Sequence, residues 1–306
     1  MSASPTPLSP AAANRENLKN RLQQPGLIVA PGVFDMVSLR LADSFGFDAL
    51  YMTGYGTVAS HLGLPDAGIA TYSDMVGRVA AMAGMARTPL IADADTGYGG
   101  LLNLRHTIRG YEAAGAAAIQ LEDQEFPKKC GHTPGRRVIP MDDMVQKIRV
   151  AADSRSSADF LIIARTDART SLGLDEALRR AEAYGRAGAD ILFVESPESE
   201  EEMRRIGQLG RDLGLPMVAN MVERGRTPVL TRAALESMGY KIAIFPVTAL
   251  LAAVQAMAGV YQTFQQTGSS AEGGQALYDF ADLTQLMGFE DVWAFEKRYA
   301  KAEQAV

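Results

Sequence analysis

The chain has 306 residues, of which 47% are apolar, and a formal net charge of -6. This length suffices for one large core and falls in the range of a barrel of about 250 residues with extensions. Acidic and basic residues are interspersed, without the basic stripe that nucleic-acid binding requires, so we expect no nucleic-acid partner. We expect no membrane partner, because no apolar run approaches the roughly 20 residues that span a bilayer. The polar N-terminal stretch lacks a signal-peptide pattern, so a cytoplasmic location is expected, and the single cysteine excludes an internal disulfide.

From residue 27 onward, short apolar runs alternate with stretches whose apolar residues recur at spacings of three and four. The runs predict eight strands, at residues 27–30, 49–52, 90–92, 118–121, 160–164, 191–194, 217–219 and 242–244. The intervening stretches predict helices at residues 36–45, 73–85, 101–114, 141–153, 174–187, 200–213, 231–238 and 249–266. Short apolar strands that alternate with helices indicate an α/β protein with a parallel sheet that is buried on both faces.

Eight such units predict a (β/α)8 barrel of the TIM type, and an open, doubly wound sheet is the alternative. The barrel is favoured because polar side chains directly follow five of the strands, and barrel enzymes gather their active-site loops at that end of the strands. These side chains are Asp93 and Asp95, Glu122 and Asp123, Arg165 and Asp167, Glu195, and Asn220.

The barrel is predicted to form a catalytic domain over residues 21–267, preceded by a flexible segment over residues 1–20. A Gly- and Ser-rich stretch then opens a C-terminal helical tail over residues 268–306, with helices predicted at 277–287 and 289–300. Six aromatic residues in this tail are too many for a free, solvated helix, so we expect them to pack on the barrel or on a neighbouring subunit. An oligomer is therefore predicted.

Two carboxylates follow the third strand at alternate positions, so Asp93 and Asp95 point to the same side. A glycine-rich loop follows them, and oxygen ligands in such a place suit a hard cation such as Mg²⁺, with Mn²⁺ as a substitute. Glu122, after the next strand, and Asp66, in an earlier loop, are candidates to complete this site. The alternative interpretation is that these acids cap helices or form ion pairs.

The only cysteine lies in a long polar connection, residues 124–137, whose length and glycine content are typical of a lid or binding loop. Cys130 follows Lys128 and Lys129 and precedes His132, and this cationic setting favours the reactive thiolate form. A lone cysteine is otherwise often a small buried apolar residue. The polar surroundings favour a chemical role.

Residues 93–99 (DADTGYG) and 128–132 (KKCGH) together resemble the isocitrate lyase and phosphoenolpyruvate mutase superfamily. Residues 51–55 (YMTGY) are similar to its carboxylate-binding loop, and residues 62–66 (LGLPD) to the segment that follows. Later strand ends match as well, at residues 163–167 (IARTD), 194–196 (VES) and 218–220 (VAN). The resemblance covers residues 27–260 and implies a homotetramer in which the C-terminal helices are exchanged between subunits.

The resemblance implies a role for each matching residue. Asp93 would hold Mg²⁺ directly, and Asp66, Asp95 and Glu122 would act mainly through bound waters. Tyr51 and the backbone amides near Thr53, Gly54 and Tyr55 would bind the substrate carboxylate. Among the catalytic residues, Cys130 would be the proton donor, with Lys129 beside it, and Arg165 would be the cation near the reacting oxygen. His132 and Glu195 would also belong to the catalytic residues. They would line the far side of the pocket together with Asn220.

The KKCGH loop resembles that of carbon–carbon lyases rather than that of phosphonate mutases or decarboxylases of the same fold. After His132 the sequence TPGR differs from methylisocitrate lyases and looks more like the branch of 2,3-dimethylmalate lyase, petal death protein and oxaloacetate hydrolase. The expected activity is cleavage of a 2-hydroxy dicarboxylate such as 2,3-dimethylmalate, giving pyruvate and a carboxylate. The expected partner is a small di- or tricarboxylate substrate. The alternatives are 2-methylisocitrate lyase, oxaloacetate hydrolase, a carboxyphosphonoenolpyruvate-type phosphonomutase, and a barrel that binds a dicarboxylate or serves as a subunit scaffold without turnover. A bulky Tyr55 favours a dicarboxylate over a tricarboxylate.

Overall fold

The computed structural model describes residues 9–131 and 135–300. Within these residues, eight parallel strands close into a barrel in which each strand pairs with its neighbours along the chain. The strands are β1 (Ile28–Val33), β2 (Leu50–Met52), β3 (Leu90–Asp93), β4 (Ala118–Glu122), β5 (Leu161–Thr166), β6 (Ile191–Val194), β7 (Met217–Asn220) and β8 (Ile242–Phe245). The last strand pairs with the first, with Ile28 opposite Ile242, and this pairing excludes the open doubly wound sheet.

Helices connect the strands and continue to the C-terminal part of the described chain. Those from the N-terminus to β4 are α1 (Pro10–Gln23), α2 (Met36–Asp43), α3 (Gly54–Leu62), α4 (Tyr72–Met85) and α5 (Leu101–Ala113). The later ones are α6 (Met141–Ser154), α7 (Ala168–Leu172), α8 (Leu174–Arg186), α9 (Glu200–Leu213), α10 (Arg232–Met238), α11 (Thr248–Thr267), α12 (Phe280–Leu286) and α13 (Phe289–Tyr299). None of them has both the length and the apolar character needed to cross a membrane.

The predicted (β/α)8 fold is confirmed, and each predicted strand is present. Several strands extend past the predicted end to include the first polar residue of the barrel rim. Glu122, for example, belongs to β4, because it stands opposite Arg165 in the β4–β5 ladder. Polar strand-end residues are thereby fixed by the sheet rather than by loops.

The strands separate two apolar layers. Inward-facing side chains such as Tyr51, Ile91 and Phe193 fill the barrel interior, and a larger cluster lies between the strands and the outer helices. The whole of β3, β4 and β6 is buried, as expected for parallel strands covered on both faces.

Helix α1 lies where the sequence predicted a flexible N-terminal segment. Its side chains Leu18 and Leu22 are buried and belong to the cluster that fills the barrel interior. Ser9 caps the helix, accepting a hydrogen bond from the Ala12 N–H at 3.3 Å, and Pro10 occupies the first turn. The sequence did not reveal this helix because its apolar residues do not recur over several turns.

The described chain divides into two compact units between Leu251 and Ala252, a division that falls inside α11. The predicted domain boundary at residue 267 coincides with the end of that helix and stays a prediction. In the second unit, the tail aromatics are exposed, from 46% for Phe289 to 82% for Phe280. Their cover by a neighbouring subunit stays a prediction.

We expect Leu18→Ala to lower the free energy of unfolding by about 2–5 kcal/mol, because it leaves a cavity at a fully buried site. Urea unfolding measures the change. Leu102→Ala is the matched control, since Leu102 is 73% exposed, and its effect should stay within about 0.5 kcal/mol. Equal effects of the two substitutions would show that α1 does not close the barrel core.

Candidate active site

Asp93 ends β3 at the carboxyl end of the barrel, and its carboxylate is held by a chain of hydrogen bonds. Oδ1 accepts from the Asp95 N–H at 3.1 Å and from Gln120 Nε2 at 3.3 Å. Gln120 in turn accepts from the Tyr51 hydroxyl at 3.0 Å. The other oxygen, Oδ2, faces Gly54, where a Cβ would lie only 2.5 Å away. Tyr51, predicted to bind substrate, thus orients Asp93 through Gln120, which sequence reasoning missed.

Glu122 is the second carboxylate of this rim and is 3% exposed. Its Oε2 lies 3.4 Å from Arg165 Nε, and its Oε1 has no hydrogen-bond partner among the described residues. Burial raises the pKa of Glu122 well above its ordinary value, and the Arg165 cation opposes this rise. A buried oxygen without a partner is costly, so a cation or a water is expected beside it.

Asp66 and Asp95, which the sequence placed in the metal site, both form ion pairs with Lys128. The Lys128 ammonium contacts Asp66 and lies 2.6 Å from Asp95 Oδ1. Burial is the main cause that raises the pKa of Asp95 to about 7, and Lys128 opposes it. Nearby carboxylates raise the pKa of Lys128 well above its ordinary value despite burial, so it stays charged.

Sequence reasoning named Lys129 rather than Lys128. Lys129 is exposed, and its ammonium lies 3.4 Å from the Gly135 carbonyl oxygen. Both lysines line the cavity beside Cys130, but Lys128 is buried and paired with carboxylates, whereas Lys129 is exposed. No signal in the sequence separates the two, because both are lysines in the same polar loop.

Arg165, Glu195 and Asn220 lie together at the rim, at or directly after the ends of β5, β6 and β7. Arg165 Nη1 lies 3.3 Å from Glu195 Oε2, and the Asn220 amide donates to the same oxygen at 3.0 Å. Arg165 Nε also donates to Asp167 at 2.8 Å. Although burial alone would raise it, the pKa of Asp167 is lowered by Arg165 and Arg136. Two cations therefore keep Asp167 ionised.

A cavity of about 230 Å³ lies at this end of the barrel. It brings together Cys130, which is half-buried, with Asp93, Glu122, Arg165 and Asn220. The predicted residues Thr53, Tyr55 and Asp66 also line it. His132 lies outside the described residues.

The N-terminus of α3 opens directly after β2. Thr53 caps it by accepting from the Gly56 N–H at 3.4 Å, and the first backbone hydrogen bond of the helix runs from Thr57 N to Thr53 O. The N–H groups of Gly54 and Tyr55 precede that bond, so they are available to an anion. The sequence did not predict this helix, because two glycines interrupt its pattern.

The described parts of the cysteine loop, residues 124–131 and 135–137, are fixed to the barrel on both sides of Cys130. Ser196 donates from its hydroxyl to the Gly131 carbonyl at 2.9 Å, and Arg136 forms a buried ion pair with Asp167. A Cβ at Gly131 would clash with the Arg165 guanidinium and lie 3.0 Å from the Glu195 carboxyl carbon. Only glycine therefore permits this close approach of the loop.

In residues 9–131 and 135–300, no three His, Cys, Asp or Glu side chains form a ready-made ligand set for a metal ion. The rim instead offers Asp93 Oδ2 next to a glycine and the unpartnered Glu122 Oε1. Mg²⁺ is commonly bound by one or two carboxylates and keeps several waters. The donor set fits such an ion.

A family model described as phosphoenolpyruvate phosphomutase matches residues 18–265. The chain belongs to this family. The resemblance that the sequence motifs indicated is thereby confirmed. The 2,3-dimethylmalate lyase of Eubacterium barkeri is 47% identical to the chain over 293 residues, which is 96% of this chain and 99% of that protein.

Two further members extend the comparison. The 2-methylisocitrate lyase of Aeropyrum pernix is 40% identical, with coverage of 94% of this chain and 90% of that protein. A solved structure of phosphonopyruvate hydrolase in complex with oxalate and Mg²⁺ has a TM-score of 0.82 and 31% identity, with coverage of 96% of this chain and 100% of that chain. The phosphoenolpyruvate phosphomutase fold thus carries lyases and a hydrolase.

We expect Gly131→Ala to release the cysteine loop, because the added methyl group would collide with Arg165 and Glu195. Limited digestion with trypsin reports this as faster cleavage after Lys129 or Arg137, by about tenfold if the contact stabilises the docked loop by about 1.4 kcal/mol. Gly77→Ala is the control, since a Cβ there meets nothing within 4 Å. Unchanged cleavage in Gly131→Ala would refute the docked loop.

Proposed function

We propose that this member of the family is a divalent-metal-dependent carbon–carbon lyase. Its substrate is a 2-hydroxy dicarboxylate such as 2,3-dimethylmalate, which it cleaves to pyruvate and a second carboxylate. The observation that carries the proposal is that one cavity contains the Cys130 thiol, the acids Asp93 and Glu122, and the Arg165 cation. Two relatives named as lyases support the reaction class.

Asp93 would hold the metal ion through Oδ2, and Glu122 and Asp95 would bind its waters. Mg²⁺ is the expected ion, with Mn²⁺ as a substitute, and the Mg²⁺ in the phosphonopyruvate hydrolase structure supports this choice. When bound, the ion supplies Lewis-acid stabilisation of negative charge on the substrate oxygens. Lys128 forms ion pairs with both Asp66 and Asp95, so neither acid at this rim is left without a cationic partner.

The substrate carboxylate would lie at the N-terminus of α3, where the Gly54 and Tyr55 N–H groups and the positive end of the helix dipole favour an anion. Arg165 stays charged beside the 2-oxygen, because its carboxylate neighbours raise its pKa despite burial. Its guanidinium is fixed by Asp167 and Glu195 before substrate arrives. Such a preorganised cation stabilises charge that develops during the reaction.

Glu122, whose Oε1 has no partner among the described residues and which lines the cavity, would take the proton of the 2-hydroxyl while the C2–C3 bond breaks. The electron pair of the bond becomes a carboxylate enolate, and C2 leaves as the carbonyl carbon of a 2-oxo acid. The Cys130 S–H then donates its proton to the enolate carbon as general acid. The docked loop would exclude water from this enolate.

The opposite side of the cavity favours alkyl substituents. It is lined by Val222, Ile244, Pro246, Val247 and Leu251. In the barrel order β8 stands across from β4, so Ile244 and Glu122 lie at opposite sides of the rim. A substrate with an ionic end and methyl groups on its carbon skeleton matches this division.

Treatment with EDTA should abolish release of 2-oxo acid from 2,3-dimethylmalate, and added Mg²⁺ or Mn²⁺ should restore it. Cys130→Ala should lower kcat by about 10²–10⁴-fold, the usual contribution of a general acid. Product 2-oxo acid is measured with a coupled dehydrogenase. Ser237→Ala, at an exposed position on α10, is the control and should keep full activity.

The same assay with other substrates separates the remaining activities. Turnover of 2-methylisocitrate alone would assign a tricarboxylate lyase, and oxalate release from oxaloacetate would assign a hydrolase. Turnover of phosphonates alone would contradict the lyase assignment. Cleavage that survives Cys130→Ala would remove this residue from the proton-transfer step.

Val247→Thr should reduce the preference for 2,3-dimethylmalate over malate, measured as the ratio of kcat/KM values. The substitution keeps the shape of the side chain and replaces one of its two methyl groups with a hydroxyl, so the apolar wall becomes more polar. Since a buried methyl group contributes about 0.8 kcal/mol, a decrease of about threefold is expected. Val37→Thr, at a 53% exposed position, should leave the ratio unchanged. An unchanged ratio in Val247→Thr would place the substrate methyl groups elsewhere.

A further inference from the structure

The segment from the last residue of β3 onward, residues 93–99, carries two of the metal-site acids and contains two residues in an unfavourable backbone conformation. We call it the metal-acid loop. Asp95 has φ 48° and Tyr98 has φ 60°, and both are non-glycine residues in the left-handed region. L-residues rarely adopt this conformation, and it persists only where surrounding contacts enforce it.

Contacts from neighbouring elements fix the backbone carbonyls of this loop. The Tyr111 hydroxyl donates to the Asp93 carbonyl at 3.2 Å. Lys147 donates to the Thr96 carbonyl at 2.9 Å, and the Thr107 hydroxyl donates to the Gly97 carbonyl at 3.2 Å. Three side chains on α5 and α6, which lie outside the barrel wall, thus hold a loop whose acids face the cavity.

Tyr111 makes the contact nearest to the metal site. Its ring is fully buried, and its hydroxyl lies 2.9 Å from the Tyr98 hydroxyl. The Tyr111 hydroxyl donates its only proton to the Asp93 carbonyl, so it must accept the hydrogen bond from the Tyr98 hydroxyl. The hydrogen bonds therefore run from Tyr98 through Tyr111 to the Asp93 carbonyl. Tyr98 belongs to the metal-acid loop, so these hydrogen bonds join both ends of the loop through one helix residue.

We infer that Tyr111 is a positioning residue for the metal site, acting with Tyr98 through the backbone of Asp93. This inference rests on the proposed function, because it assumes that Asp93 binds the metal ion. It extends that function to residues that touch neither metal nor substrate. Partners one step removed from a metal ligand commonly change metal affinity by about 10–100-fold.

Binding of Mn²⁺ to the metal-free full-length protein, measured by electron paramagnetic resonance, tests the inference without turnover. Tyr111→Phe keeps the ring and removes the hydroxyl, which is both the donor to the Asp93 carbonyl and the acceptor from Tyr98, so we expect the Kd for Mn²⁺ to rise about tenfold. Thr107→Val, which frees the Gly97 carbonyl, should raise the Kd in the same direction. Tyr240→Phe is the matched control, since the buried Tyr240 hydroxyl has no hydrogen-bond partner among the described residues. Its Kd should equal that of the wild type.

The outcomes separate the two levels of proposal. If the wild-type protein binds no Mn²⁺, the metal centre itself is wrong, and the inference falls with it. If the wild type binds Mn²⁺ and both Tyr111→Phe and Thr107→Val bind it equally well, the metal centre stands and the positioning role is overturned. Lower stability of Tyr111→Phe toward urea with an unchanged Kd would likewise overturn it, because a purely structural tyrosine would behave in that way. Should Tyr111→Phe fail to fold, Thr107→Val alone decides.

Discussion

Two buried cations, Lys128 and Arg165, hold together the acidic residues at the carboxyl end of the barrel. Parallel strands bring their carboxyl ends to one rim, and this topology crowds carboxylates that would otherwise repel one another. Lys128 pairs with Asp66 and Asp95, and Arg165 pairs with Asp167 and Glu195. Removing one partner of a buried ion pair typically costs about 3–5 kcal/mol, so each cation constrains several acids at once.

This charge balance also determines where the cysteine loop lies. Lys128 belongs to that loop, as does Arg136, which contributes the second cation on Asp167. If the loop moved away, these acids would lose their partners inside a buried site. Docking of the loop is therefore coupled to the ionisation of the rim, and Cys130 reaches the cavity as a consequence of ion pairs made by its neighbours.

The fold could be predicted from the sequence because the alternation of strands and helices is visible in local residue patterns. Eight such strand-helix units are compatible with only a few topologies, of which the closed barrel is one. The rim residues that end strands were also predictable, since Asp93, Glu122 and Arg165 directly follow apolar runs. The pairing of Lys128 with Asp66 and Asp95 was not predicted, because two adjacent lysines look alike until the loop conformation decides which one is buried. Helix α1 was also missed, because its stability comes from burying Leu18 inside the barrel, a contact that depends on the closed sheet.

The two sides of the rim meet two different requirements of a carbon–carbon lyase. Charge that develops on substrate oxygens requires fixed cations and metal ligands, whereas selection among similar acids requires contact with their carbon skeleton. The closed barrel meets both, because β3, β4 and β5 contribute carboxylate and guanidinium side chains and β8 contributes Ile244 and the segment that follows it. Under the proposed function, substitutions in the β8 segment are therefore expected to change the acid that is selected while the ion-pair network stays intact.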